Sequence, residues 1–418
     1  MDTITHGIVG ALVGKALFAG RDVPALSRDR TQSCAQSSPT ARAAIVACTI
    51  GSIFPDIDIF AGELARNPLA IMEWHRNITH SLVMLPVWAA LLAAASIPIA
   101  RWLRWKTPSF PGLFLIYAIG LGTHVFLDVA TNFGTMVWSP LDYSRVAWDW
   151  LFILDLTLTS LALVPQFAAW CYREPQKFWR RAGAIWVLLT IGALGAYFLA
   201  ASAGYAFGIW FVALASLVFG AVLFVPALRG AGFGWRRTSW CRVGLALVCA
   251  YVALAAGIHW KALADLNRFA ASLQVPSDHL AALPLPPTLT HWAGLISTPE
   301  GVRRTSFQEP SGGIEKTQFY PSAQSDPHVE KAKTLRDVQV YLWFARFPVW
   351  QVMKEGEQTI ADVSDVRFFR EEAPTEDAAT NQSTRLAGVR PNPPGFTFEV
   401  VFGADGRIVS SGFKKPQQ

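Results

Sequence analysis

The chain has 418 residues, 52% of them hydrophobic and 16% charged, with a formal net charge of +6. It is too apolar for one soluble core, and several of its runs approach the roughly 20 apolar residues that a helix needs to cross the hydrocarbon of a bilayer. Its basic residues form no aromatic-interleaved stripe, so nucleic-acid binding is excluded as a function class.

Eight hydrophobic segments are expected, at residues 4–20, 41–60, 79–101, 112–131, 150–170, 183–203, 208–228 and 242–261. No basic region precedes the first and no small-residue cleavage site follows it, so it reads as mature sequence rather than a signal peptide. Fifteen Lys and Arg residues fall in the odd-numbered connections, against Arg66, Arg76 and Arg145 in the even ones. Cytoplasmic loops retain positive charge, so the odd loops are expected inside and both termini outside. Cys34, Cys171 and Cys241 fall on the expected cytoplasmic loops or ends, and their placement implies neither a disulfide framework nor a cysteine zinc site.

Four short stretches carry the polar chemistry, and all lie at the expected outer face. In MDTITHG, His6 opens segment one, and Asp2 either caps that helix or joins a metal site. In GSIFPDIDIFAG, Pro55 ends segment two and sets Asp56 and Asp58 two apart in extended or turn-like backbone, where both carboxylates can face one ion or two adjacent ions. Acids at bilayer depth are costly and tend to have partners. EWHRNITHS places His75 in an approach loop and His80 in the first turn of segment three, with Arg76 either holding an anionic substrate or acting as an interfacial cation. GTHVFLDVATNFG ends segment four with His124 and Asp128 four apart on one helical face, where Asp128 binds the ion or orients the imidazole. Asp142, further on, is the next acid expected to approach. Imidazoles suit Zn²⁺, and the hard carboxylates widen the choice to Mn²⁺ or Mg²⁺.

Beyond residue 261 the character changes. Residues 262–275 continue the last helix, LPLPPT at 283–288 is a stiff linker, and 371–384 is expected as a mobile loop. VRRTSF, DVQVYLWFARF, DVSDVRFF and FTFEVVF read as strands, the last paired in a hairpin closed at Asp405-Gly406. The expected architecture is therefore a polytopic α-helical membrane domain of about eight transmembrane helices (1–261), a helical extension and Pro-rich linker (262–288), and a small β-rich α+β domain outside the membrane (289–418).

Taken together, MDTITHG, PDID, HRNITHS and GTHVFLDVATNFG resemble the YdjM-type membrane-bound metal-dependent hydrolases over residues 1–145. The resemblance implies an integral metallohydrolase of the bacterial cytoplasmic membrane, and its motif positions map onto Asp2, His6, Asp56, Asp58, His75, Arg76, His80, His124 and Asp128. The expected metal ligands are His6, Asp56, Asp58, His75, His80, His124 and Asp128. Metal-activated water would attack an ester or phosphodiester, with Asp58 or Asp128 taking the proton and Arg76 neutralising the developing charge. A site at the outer headgroup level suggests the bilayer and a lipid-linked substrate as partners. Two other readings are a transporter, which would hold its polar residues near the midplane rather than at segment ends, and a sensor or scaffold braced by ions.

Overall fold

The structure, a computed structural model, describes residues 1–19, 39–202, 208–228, 230–274, 279–286, 289–311, 313–369 and 396–414. Arg21, Arg28, Arg30, Cys34, Arg229 and the loop 371–384 lie outside the described residues. The chain forms two compact units, residues 1–61 with 74–256, and residues 62–73 with 257–418.

Apolar helices occupy all eight expected places. They are α1 (Thr3–Phe18), α2 (Pro39–Ile53) continued through a 3₁₀ turn into α3 (Asp58–Leu64), α5 (Leu85–Trp102), α6 (Phe110–Val129), α7 (Leu156–Cys171), α8 (Phe178–Ser202), α9 (Trp210–Leu228) and α11 (Arg237–Ser272), with the short helices α4 (Ala70–Glu73) and α10 (Ala231–Gly234) between them. Six of the spans are long and apolar enough to cross a membrane. Helices α1 and α7 have 16 residues each, short of a full crossing. Only 6% and 11% of the apolar windows of α8 and α9 are buried by protein, so most of their Leu, Ile, Phe and Trp side chains need hydrocarbon as solvent.

Three boundaries differ from expectation, each for a local reason. Segment three begins at Leu85 rather than 79, because Pro86 suits a first helical turn and residues 78–80 form a separate 3₁₀ turn. Segment five begins at Leu156 rather than 150, where the Asp155 side chain caps the helix by accepting from the Leu158 N–H at 3.0 Å. Pro55 ends α2 in the 3₁₀ turn Phe54–Ile57, the turn-like of the two expected geometries, and the chain resumes at Asp58 as α3, a helix not expected there.

Helix α2 packs between α1 and α6, and small residues allow the close approach. A Cβ added at Gly10 would collide with Ser52, and one added at Gly120 would lie 2.5 Å from the Cys48 carbonyl oxygen and 3.1 Å from the Gly51 Cα. These contacts bring the N-terminal end of α1 and the C-terminal ends of α2 and α6 together.

In the second unit, two four-stranded antiparallel meanders follow one another. The first is β1 (His279–Leu285), β2 (His291–Thr298), β3 (Gly301–Gln308) and β4 (Gly313–Pro321); after α12 (Pro327–Ala332) and α13 (Arg336–Phe344) comes the second, β5 (Pro348–Glu355), β6 (Gln358–Asp365), β7 (Thr397–Phe402) and β8 (Ile408–Phe413). One face of the first sheet packs Leu295, Val302 and Tyr320 with Phe347, Val349 and Val366; the other packs Trp292, Ile296 and Phe307 against Ala262, Leu266 and Ala270 of α11. Strand β1 covers residues 283–285, expected as linker. DVQVYLWFARF, expected as a strand, supplies α13: its Val338, Tyr341 and Phe344 recur every three residues and are all buried. Residues 366–368, expected within a strand, form a 3₁₀ turn after β6. FTFEVVF and the following turn form the β7–β8 hairpin, with Gly406 at φ +70°.

Candidate metal centre

Four chain segments of the first unit converge on one buried cluster. His6 comes from the first turns of α1, Asp56 and Asp58 from the 3₁₀ turn and the start of α3, His75 to His80 from the approach to α5, and His124 and Asp128 from the last two turns of α6. The spacing of four on α6 puts the last pair on one face, as the sequence suggests. His6, His80, His124 and Asp128 have no exposed surface, and Asp56 is 5% exposed.

At the centre, Nε2 of His80 and Nε2 of His124 face each other at 3.0 Å. An Asp128 Oδ2 lies 3.2 and 3.4 Å from these two nitrogens, and an Asp56 Oδ1 lies 3.5 Å from each. One ligand atom from each of the four residues lies within 4.8 Å of the other three. Ligands about 2.0–2.2 Å from one tetrahedral ion stand roughly 3.3–3.5 Å apart, close to the separations found here.

The partners of the other ring nitrogens identify the lone pairs. Nδ1 of His124 lies 2.8 Å from the Ser52 carbonyl oxygen, which only accepts, so Nδ1 donates and leaves Nε2 as the nitrogen that can bind an ion. Nδ1 of His80 lies 3.2 Å from the Asp58 carboxylate, with the same consequence. Two imidazole nitrogens and two carboxylates thus share one small volume, and an ion bound there would be held by all four. Asp128 Oδ2 has no hydrogen-bond donor, as expected of an atom reserved for such a cation. The residues fit a divalent ion.

A second set supports the first. Asp58 accepts from the Arg76 backbone N–H at 3.1 Å and from the Thr79 hydroxyl at 2.8 Å, in addition to the rings of His80 and, at 2.9 Å, His75. It meets His75 and His80 within ligand range of one another, but its oxygens are saturated with donors. Burial holds the His75 imidazole below its usual range, with Asp58 opposing the shift. His75 is the most exposed of the site's histidines, with 14% of its side chain accessible.

The remaining polar groups lock the frame. His6 places Nε2 3.0 Å from Asp128 Oδ1 and stacks on His124 at 3.7 Å between ring centroids. The Met1 amine also contacts Asp128, and the Thr3 hydroxyl donates to Asp56 at 2.5 Å. Asp2 caps α1 by accepting from the Thr5 N–H at 2.9 Å. Arg76 is 1% exposed and spends its guanidinium on Asp128, the Asp128 carbonyl and Thr131, at 2.9–3.1 Å. Its φ of +62° is a costly backbone state for a residue with a Cβ, and these bonds hold it there. Asp142 is exposed and bonds to Ser144, and it does not join the cluster.

Sequence reasoning missed Ser52, Thr79, Thr3 and Thr131. Ser52 contributes a backbone carbonyl, for which side-chain chemistry carries no signal; Thr79 adjoins His80 and is visible as a hydroxyl next to a ligand.

The fold and cluster define a polytopic membrane protein with a buried His/Asp site able to hold a metal ion. Residues 1–207 match the family described as YdjM inner membrane protein, and the chain is a longer member of that family, with a further C-terminal region. It is also 30% identical over 147 residues to YfhP of Bacillus subtilis (strain 168), an uncharacterized protein; the match covers 35% of this chain and 39% of that relative. No solved structure matches the chain.

Proposed function

We propose that this protein is a membrane-embedded metal-dependent hydrolase acting on an ester or phosphodiester, with a lipid-linked substrate reaching the site at the extracytoplasmic headgroup level. The observation that carries this reading is the 3.0 Å approach of two imidazole Nε2 atoms whose Nδ1 atoms are both engaged as donors. His80, His124, Asp56 and Asp128 would hold the ion, with Zn²⁺ favoured by the imidazoles and Mn²⁺ or Mg²⁺ allowed by the carboxylates. A bound divalent ion supplies water of lowered pKa and a Lewis acid for an ester oxygen. Asp58 orients His80, and His6 with Arg76 orients Asp128. We assign proton transfer to His75 rather than to Asp58 or Asp128, because Asp58 is saturated with donors and Asp128 would hold the ion, while His75 is partly open. Arg76, committed to Asp128, tunes charge at the site from behind that carboxylate instead of gripping substrate. The outward placement rests on the asymmetry of Lys and Arg between loops.

Elemental analysis of detergent-purified protein, paired with turnover of a chromogenic phosphodiester and a chromogenic carboxylate ester, tests the reading. Stoichiometric metal and metal-dependent turnover are expected, and both should be lost in Asp56→Ala and His80→Ala. Variants that keep metal and activity would sink the site assignment.

The complete burial of His80, His124 and Asp128 favours a second reading, an ion that only braces the helices. Under it the protein binds metal and unfolds at a lower temperature after chelation, and neither ester turns over.

A further inference from the structure

The second unit carries a pocket unrelated to the histidine cluster. Its walls are Arg304 and Ser306 of β3 and Lys316 and Gln318 of β4. Alternation along a strand puts residues two apart on one face, and the register pairs Arg304 with Gln318 and Ser306 with Lys316. The four side chains therefore rise from the corners of a rectangle about 5 by 7 Å, set by strand spacing and rise. Val302 and Tyr320, the next pair on that face, belong to the apolar core, so the pocket opens where that lining ends.

Arg304 is the unusual member. It is 9% exposed, yet no acceptor among the described residues takes a hydrogen bond from its guanidinium. A cation that keeps so little contact with water and has no such acceptor is costly, and this fold holds it beside a second cation, a hydroxyl and an amide. None of the four lining residues is acidic, and each can donate. The Arg303 side chain lies on the opposite face, over the Phe319 ring at 4.8 Å, and does not line the pocket.

From this we infer that the pocket on β3 and β4 is a binding site for a phosphate-type oxyanion, with Arg304 as its bidentate anchor and Lys316, Ser306 and Gln318 closing around the remaining oxygens. A guanidinium presents paired donors that match two oxygens of such an anion, while an ammonium, a hydroxyl and an amide placed around it suit a tetrahedral group better than a planar one. The phosphate arrives either as a free anion or as part of a phospholipid headgroup.

Inorganic phosphate, titrated calorimetrically into the full chain in phosphatidylcholine nanodiscs, is the test. Saturable binding is expected, weakened about tenfold or more in Arg304→Gln and in the exposed-site variant Lys316→Gln. Lys354→Gln, on β5, should bind as the parent does. Repeating the titration in nanodiscs that include phosphatidylglycerol separates the sources: competition by the lipid assigns the headgroup, and unchanged binding assigns the free anion, and either supports the pocket. Absence of saturable phosphate binding in both disc types, with no anionic-lipid dependence, overturns the proposal. So does binding that survives intact in both pocket variants. Because none of these readouts involves ester turnover or the histidine cluster, failure here leaves the hydrolase reading untouched.

Discussion

His80 uses its two ring nitrogens for different tasks: Nδ1 gives its proton to Asp58 and Nε2 faces the cluster. Replacing Asp58 by Asn removes the negative charge and one of the two accepting oxygens that set this tautomer, while leaving the ion-facing atoms in place. Metal affinity should fall about 10–100-fold in Asp58→Asn, measured by competition with a chelator, rather than vanish as in His80→Ala. An unchanged affinity would show that His80 is oriented by something else. In the second unit, burial raises the Asp362 carboxyl above its usual range, and Lys414 at 2.7 Å pulls it back. With Lys414→Ala the carboxylate keeps its burial and loses its partner, costing about 1–3 kcal/mol at neutral pH. A folded-state pKa above the unfolded value means that folding takes up a proton. The penalty therefore shrinks as pH falls through the raised pKa towards the unfolded range. Denaturant unfolding at pH 7.5 and pH 4.5 should show the variant closer to the parent at the lower pH.

Among the elements, α2 and α6 decide whether the cluster can form, because Gly120 lies one turn before His124 against the Cys48 carbonyl. Gly120→Ala should push the two helices apart, lower thermal stability by about 1–3 kcal/mol and weaken metal binding together. Stability lost with metal affinity intact would show that the cluster does not depend on this contact. The site's helix-borne parts were legible from residues alone: four-residue spacing placed His124 beside Asp128, and Pro55 marked where α2 must change. The shape of the loops was less so. Of the extended or turn-like backbone expected at Asp56 the turn is found, and the helical turn expected at His80 is a separate 3₁₀ turn, each with bonds to another segment, Thr3 for Asp56 and Asp58 for His80. Helix α13 was missed because aromatic and β-branched residues suggest a strand, whereas its three-residue burial repeat becomes visible only when a neighbouring surface covers it. Arg76 illustrates a related limit, since sequence shows a free cation and only the fold reveals that its two terminal nitrogens are spent on Asp128 and Thr131.

For the whole molecule, the loop charges predict that alkaline phosphatase fused after Gln418 is active and that a fusion at Gly234, between α9 and α11, is inactive. The opposite pattern would reverse the compartment assigned to the cluster. A different consequence follows from how far apart its members are along the chain: His6 and Asp128 are separated by 122 positions, and the groups between them come from two further segments. While the ribosome is still making α6, the earlier imidazoles and carboxylates have no common centre, and each must be tolerated singly at the edge of the lipid. Under the proposed metal-binding reading, loading would be a late event in biogenesis, and scarcity of the ion would be felt by newly made copies before it is felt by those already assembled.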